Sequence, residues 1–294
     1  MWMLGLTMLW GLNAISLRVV TLGIAPITAA AIRGALALAL LTGYGLLRRE
    51  SLRYSGWALF HGTIVAVIFA LEFVAIYSGA SLTNGSHVAI FVNTAPFFVT
   101  LGAHYWLPGE RMHLLRFVGL VVAFLGIVLL FSDEFFLQQT GFWRGDLLVM
   151  VGAALWASTT LYFKRFMVRS FSGFRLLYIQ VLISTPILGA IAYLAEPTPF
   201  FRVNAAVVSA LLFQAIVVVF FSYLMWIVLL RIYPAGGIQS LTFMTPVWGV
   251  LAGVVLLGES VSLLATFGIA LVGFGLYVVN RPALAVKAKP KRKS

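Results

Sequence analysis

Apolar residues run along this chain for about twenty positions at a time, then give way to a few polar or charged ones. A hydrocarbon core about 30 Å thick is crossed by roughly 20 apolar residues in helical form. Ten runs meet that length, at about 2–20, 26–47, 56–80, 84–107, 113–131, 145–167, 173–194, 204–231, 234–257 and 262–279. The pattern predicts an all-α polytopic membrane protein with ten transmembrane helices. Two runs interrupt themselves. Ile-Phe-Val-Asn-Thr-Ala-Pro-Phe-Phe at 90–98 and Ser-Leu-Thr-Phe-Met-Thr-Pro-Val-Trp at 240–248 each place polar groups and a proline near mid-segment. Proline lacks an N–H and displaces the carbonyl four residues back. Helices four and nine are therefore expected to break, with Val92 and Thr242 carrying the freed carbonyls and Pro96 and Pro246 as candidate hinges.

The two prolines belong to a longer correspondence. Gly109-Glu110 is followed by Gly119 and Gly126, and Gly258-Glu259 is followed at the same spacing by Gly268 and Gly275. Trp10, near the middle of the first run, matches Trp156 in the sixth. The expected organisation is a first five-helix repeat over 1–132, an external linker over 133–144, a second repeat over 145–280 and a basic tail over 281–294. Five is odd, so the second repeat must enter the membrane inverted. That relation gives a pseudo-two-fold axis in the membrane plane, as in many secondary transporters. Gly119 and Gly126 lie seven apart on one helix face, a spacing that lets a neighbouring helix come close.

Composition agrees with a membrane protein: 62% of the 294 residues are hydrophobic and 10% charged. Soluble domains run near 45–50% and 25%. Charge then sets orientation. With the N-terminus inside, sixteen of the twenty Lys and Arg fall in inner segments and three (Arg18, Arg144 and Arg202) outside, leaving Arg33 within a helix. Short cytoplasmic loops carry such an excess, so both termini are expected to be cytoplasmic. The first run has no basic leader or cleavage site and is read as a retained helix. The net charge of +12 resides in loops and the tail, which speaks against nucleic acid and leaves the Lys287–Lys293 stretch as a topology determinant or a contact for anionic lipid. There is no cysteine, hence no disulfide or thiolate metal site.

Trp10-Gly11-Leu12-Asn13 in helix one, Arg33 in helix two, the mid-helix prolines and the repeated Gly-Glu together resemble the EamA branch of the drug/metabolite transporter superfamily. The resemblance covers the chain to about Asn280. It implies export of small metabolites through a cavity ringed by helices 1–4 and 6–9, with five and ten as packing elements. Gln180 stands where a second Arg33 would be, and Ser222 where a second Glu72 would be, so a mechanism needing paired charges in both halves does not carry over.

An ionisable side chain at bilayer depth costs at least about 2.5–3.5 kcal/mol and normally faces a partner or a cavity. Arg33 and Glu72 are two such residues at similar depth and are expected to pair. The pair is either a structural lock or a site for the carboxylate and ammonium of a zwitterion, with Glu72 alternatively carrying a proton. Tyr77 and His87 share that outer third and are candidate cavity residues there. Nearer the middle, Trp10, Asn13, Asn93, Trp156, Tyr178, Gln180, Gln239 and Trp248 are candidate cavity residues. Tryptophan ordinarily gathers at membrane interfaces, so rings at mid-depth either line a cavity or pack helices. Aromatic walls with a few amides suit a planar, partly apolar solute. No HExxH, GxSxG or phosphate loop is present, which argues against an enzyme. The expected function is inner-membrane export by alternating access, with aromatic amino acids leading, and other amino acids, purines or cationic drugs as rivals. A channel is the rival of another class. Partners are a small-molecule substrate and membrane lipid; no cofactor or metal is implied, and a monomer suffices.

Overall fold

The computed structural model describes residues 2–132, 141–257 and 261–281. The linker residues 133–140, the Gly258-Glu259 turn and the tail beyond Arg281 lie outside the described residues. The architecture is all-α: α1 (Trp2–Thr21), α2 (Pro26–Leu47), α3 (Gly56–Ala80), α4 (Gly85–Trp106), α5 (Leu114–Leu130), α6 (Trp143–Met167), α7 (Gly173–Ala195), α8 (Ala205–Ile232), α9 (Ala235–Val255) and α10 (Leu263–Asn280). Nine of these are long and apolar enough to span a bilayer, and α5, with 17 residues, is at the lower limit of roughly 17. Their outward faces carry Leu101, Val151, Phe221, Phe267 and Phe274 in the open, as lipid contact requires.

Helix starts are set by side-chain caps, which satisfy amide donors left free in the first turn. Ser55 accepts from the Ala58 N–H, Asn84 from His87, Ser172 from Arg175, Asn204 from Val207 and Ser262 from Ala265. Pro26 opens α2, where its missing donor costs nothing.

The packing obeys a two-fold relation. If α1–α5 correspond to α6–α10, the contact of α3 with α6 must be matched by α8 with α1, and that of α1 with α9 by α6 with α4. Both matches occur, as does α3 on α7 with α8 on α2, while α2·α7 and α5·α10 map onto themselves. The α5·α10 seam also shows the inversion. Gly119 abuts Gly275 and Val279, whereas Gly126 abuts Gly268 and Val272, so the two equivalent helices run antiparallel. The seam is built on glycine: a Cβ on Gly126 would lie 2.6 Å from the Val272 nitrogen and 2.7 Å from the Gly268 oxygen.

The expected breaks in α4 and α9 are present, and they begin before the prolines. α4 divides into Gly85–Val92 and Ala95–Trp106, and α9 passes through a single 3-10 turn at Leu241–Phe243. Side chains take up backbone groups at each break. Asn93 Nδ2 donates to the Ala89 carbonyl (2.7 Å) and Thr94 Oγ1 to Phe91 (2.6 Å). In α9, Ser240 Oγ donates to Gly237 and Thr242 Oγ1 to Gln239, both at 2.7 Å.

The glycine seam makes a signed prediction. Gly126→Ala should destabilise the protein by about 1–3 kcal/mol through overpacking against backbone. Gly273→Ala, where an added Cβ meets nothing within 4 Å, should stabilise α10 by about 0.5–1 kcal/mol. Thermal unfolding in detergent should move the two midpoints in opposite directions.

Candidate functional site

The middle of the molecule is an aromatic crossing. Trp10 of α1 meets Trp156 of α6 edge-on at 6.0 Å between ring centroids and Trp226 of α8 at 5.6 Å. Its Nε1–H donates to Ser222 Oγ at 2.9 Å, and that hydroxyl in turn donates to the Val218 carbonyl at 2.6 Å. Ser222 closes a π-helical stretch of α8, Gln214–Ser222, of the kind often found at functional sites. Trp248 of α9 donates from Nε1 to Thr7 Oγ1 (3.2 Å), and its Cβ lies against Gly11 of α1.

From Trp10 a polar chain ascends α1. Asn13 Oδ1 accepts from Ser16 Oγ (3.1 Å), Ser16 accepts from Gln214 Nε2 (3.2 Å), and Gln214 Oε1 accepts from the Arg33 guanidinium at 3.5 Å. Gln214 is fully buried and Arg33 is 4% exposed. The guanidinium also lies 4.5 Å over the Phe73 ring, a cation–π contact strengthened where water is excluded. Its charge reaches Glu72, Tyr77 and Tyr223. With Phe69, Ser184 and Thr185, Arg33 lines a void of about 10 Å³, close to the space one water needs.

The expected Arg33–Glu72 ion pair is not formed. Among the described residues the ion pairs within 4 Å are His87–Asp146 at 2.9 Å and Lys164–Glu110 at 3.7 Å. Arg33 is instead held by Gln214 and Phe73, and Glu72, 7% exposed, has an Oε2 without a hydrogen-bond partner.

Several other candidates lie away from the aromatic crossing. His87 sits at the start of α4, its Nδ1 bonded to Asp146 at the start of α6, where Thr83 Oγ1 also donates to Asp146 (2.8 Å). Tyr178 is parallel to Tyr54 at 6.4 Å and accepts from Thr42 at 3.3 Å. That pair belongs to the face carrying the 48–55 loop, where Tyr54 donates to the Arg175 carbonyl (2.9 Å). Burial pushes the Tyr54 hydroxyl up to about 12, the nearby Arg175 charge opposing it, so it stays a donor at neutral pH. Tyr77 is buried against Phe73 at 5.7 Å, Asn93 serves the α4 break, and Gln180 is buried. Gln239 is fully buried with neither amide atom bonded. Such orphaned groups are rare in native interiors and call for a ligand, water or movement. Among the described residues, no cluster of three or more His, Cys, Asp or Glu is placed to hold a metal.

Both faces are cross-tied. On the arginine-rich face Glu110 lies between Lys164 and the Gly236 N–H (3.4 Å), and Lys164 also donates to the Leu230 and Tyr233 carbonyls, each at 2.5 Å. On the opposite face Glu196 accepts from the Ile27 and Thr28 N–H groups, at 2.8 and 2.7 Å, and from Thr28 Oγ1. Sequence reasoning missed the Glu196 contact, although Glu50 stands at the equivalent place in the first repeat.

Ten membrane-length helices in two inverted copies, meeting at a buried mixed aromatic and polar centre, define a secondary-transporter architecture. The model of the EamA-like transporter family matches residues 1–132 and 143–281, and the chain belongs to that family. It is a multi-pass membrane transporter of small molecules, not an enzyme. Its relatives include a "Probable amino-acid metabolite efflux pump" of Escherichia coli (strain K12), 25% identical over 92% of this chain and 90% of that one. "Uncharacterized transporter YoaV" of Bacillus subtilis (strain 168) is 22% identical over 94% of each. A solved structure titled "Crystal structure of protein" superposes with a TM-score of 0.82 over 95% of both chains at 19% identity, a likeness of fold.

The Arg33 chain yields a stability test. Gln214→Leu removes the hydrogen-bond partner of a buried cation and of Ser16, and should cost about 2–3 kcal/mol. Gln214→Glu keeps an acceptor for Arg33 and should cost less. Chemical unfolding in detergent ranks the two, and equal losses would show that Arg33 does not depend on this acceptor.

Proposed function

We propose that the protein exports amino acids with aromatic side chains by alternating access, from an inner membrane in which the arginine-rich face and both termini are cytoplasmic. One observation carries the reading: Trp10 and Trp156, equivalent residues of the two repeats, touch. Residues related by a two-fold axis can touch only near that axis. A site there stands in the same relation to both faces, as a carrier that opens alternately requires.

The chemistry around it suits a zwitterion with an aromatic end. The indoles of Trp10, Trp156 and Trp226 supply edges and faces for a planar ring, such pairs being worth about 0.5–1.5 kcal/mol beyond burial. Asn13 and Ser16 lie one and two turns away, about 5 and 9 Å along α1, and lead to Arg33 for a carboxylate. Glu72, with an unbonded oxygen, takes the ammonium. The relatives described as probable amino-acid metabolite efflux pumps support an amino-acid substrate. The same unbonded oxygen favours a second reading, a cationic solute.

Counterflow in proteoliposomes tests both. The parent should exchange tryptophan and phenylalanine saturably, and Trp10→Ala or Trp156→Ala should raise the half-saturating concentration on the order of tenfold without loss of folded protein. Unchanged exchange in both variants would sink the site, and transport of organic cations alone would select the second reading. Equal parent flux with and without a pH gradient would remove any proton role for Glu72.

The breaks in α4 and α9 serve as the hinges of this cycle. The chain has no cysteine, so a single Asn13→Cys reports access to the centre. Pro96→Ala and Pro246→Ala should shift its labelling towards opposite faces; shifts in the same direction would refute the hinge role.

A further inference from the structure

At the membrane surface of the arginine-rich face, an open recess of about 500 Å³ is lined by His104, Tyr105, Trp106, Pro108, Arg111 and Arg165, among others. It lies where α4 ends, beside the end of α6, and is independent of the central site. The Pro108-Gly109 turn shapes one wall. Gly109 has φ 85°, a conformation open to glycine at little cost, and proline fixes the preceding φ, so the turn is preformed.

The recess carries uncompensated positive charge. Arg111 and Arg165 have no carboxylate within 4 Å among the described residues. Glu110, the acid nearest in sequence, is already engaged by Lys164 and the Gly236 N–H. His104 adds a directed donor: its Nδ1 accepts from the Met112 N–H at 3.1 Å, so its ring proton is on Nε2. Two guanidinium groups and an imidazole N–H match the oxygens of a phosphodiester. Beside them Tyr105 is 80% and Trp106 42% exposed, with Leu101 a turn deeper. Exposed Trp and Tyr mark headgroup level, and an apolar strip below a phosphate-binding rim suits acyl chains, which a free anion does not have.

We propose that this recess binds an anionic phospholipid, its phosphate held by Arg111, Arg165 and His104 and its acyl chains lying along Tyr105, Trp106 and Leu101. The lipid then buttresses the α4–α5 turn that carries Glu110. Basic pockets between helices near the interface are one means by which membrane proteins bind acidic headgroups.

The test uses the full chain, delipidated in neutral detergent, with phosphatidylglycerol, phosphatidylcholine or inorganic phosphate added, read by thermal stability and by native mass spectrometry. Phosphatidylglycerol should raise the melting temperature saturably and remain bound, and the other two should not. Arg111→Gln with Arg165→Gln should weaken retention on the order of 30-fold, about fivefold per arginine. Arg48→Gln with Arg49→Gln, which removes equal charge from the same face, should leave retention unchanged. Equal retention of phosphatidylcholine, an equal shift with inorganic phosphate, or equal loss in the control pair would each overturn the proposal. The parent protein alone supplies the first two outcomes even where a variant fails to fold.

Discussion

In lipid no backbone N–H or C=O finds water, so every one must be bonded within the protein. That constraint decides where this fold is permitted to be irregular. α4 and α9 break only where Asn93, Thr94, Ser240 and Thr242 can bond carbonyls of the preceding turn. The polar residues around Pro96 and Pro246 and the prolines themselves are thus one feature. Proline weakens the ladder, and the amide and hydroxyls bond the carbonyls of Ala89, Phe91, Gly237 and Gln239 just before each proline, not those of Val92 and Thr242.

The second determinant is the inverted duplication, which converts local sequence into global geometry. The largest packing pairs are either matched by another or map onto themselves. Contacts that the two-fold exchanges, Gly119 with Gly275 and Gly126 with Gly268 at the α5·α10 seam, and the equivalent residues Trp10 and Trp156 that meet at the centre, therefore identify the axis. The first is a close-packed glycine seam, suited to a fixed support. The second is bulky, partly polar and set among helices with π-helical and broken segments, where rearrangement costs less.

Helix positions were legible in the sequence because apolarity is a one-dimensional signal. The runs expected at 26–47 and 56–80 match Pro26–Leu47 and Gly56–Ala80, and 204–231 matches Ala205–Ile232 within one residue. Depth was legible too, since Arg33 and Glu72 do lie close enough for their charges to interact. Azimuth was not. Whether a side chain turns to one neighbour or another depends on helix rotation, and the π-helical stretch Gln214–Ser222, which carries no clear sequence mark, resets that rotation in α8. Gln214, which opens that stretch, reaches Arg33, which hydropathy and charge alone assigned to Glu72. The contact of His87 with Asp146 was hidden for a related reason: the two are 59 residues apart and come near only through the α4·α6 contact that the repeat creates.

The duplicated fold does not imply duplicated contacts, and the difference between the ends is informative. Glu196 caps the start of α2 with three bonds. Its counterpart Glu50 makes no side-chain hydrogen bond among the described residues, and the start of α7 is capped by Ser172. The arginine-rich face is instead joined through Lys164 and Glu110, a largely buried pair at 3.7 Å in which Lys164 also donates to the Leu230 and Tyr233 carbonyls. Backbone amides at a helix start hold a carboxylate more firmly, by direct bonding and by the helix dipole together. The two faces are therefore joined by different chemistry, a carboxylate on a helix start at one and a lysine shared between a carboxylate and two carbonyls at the other.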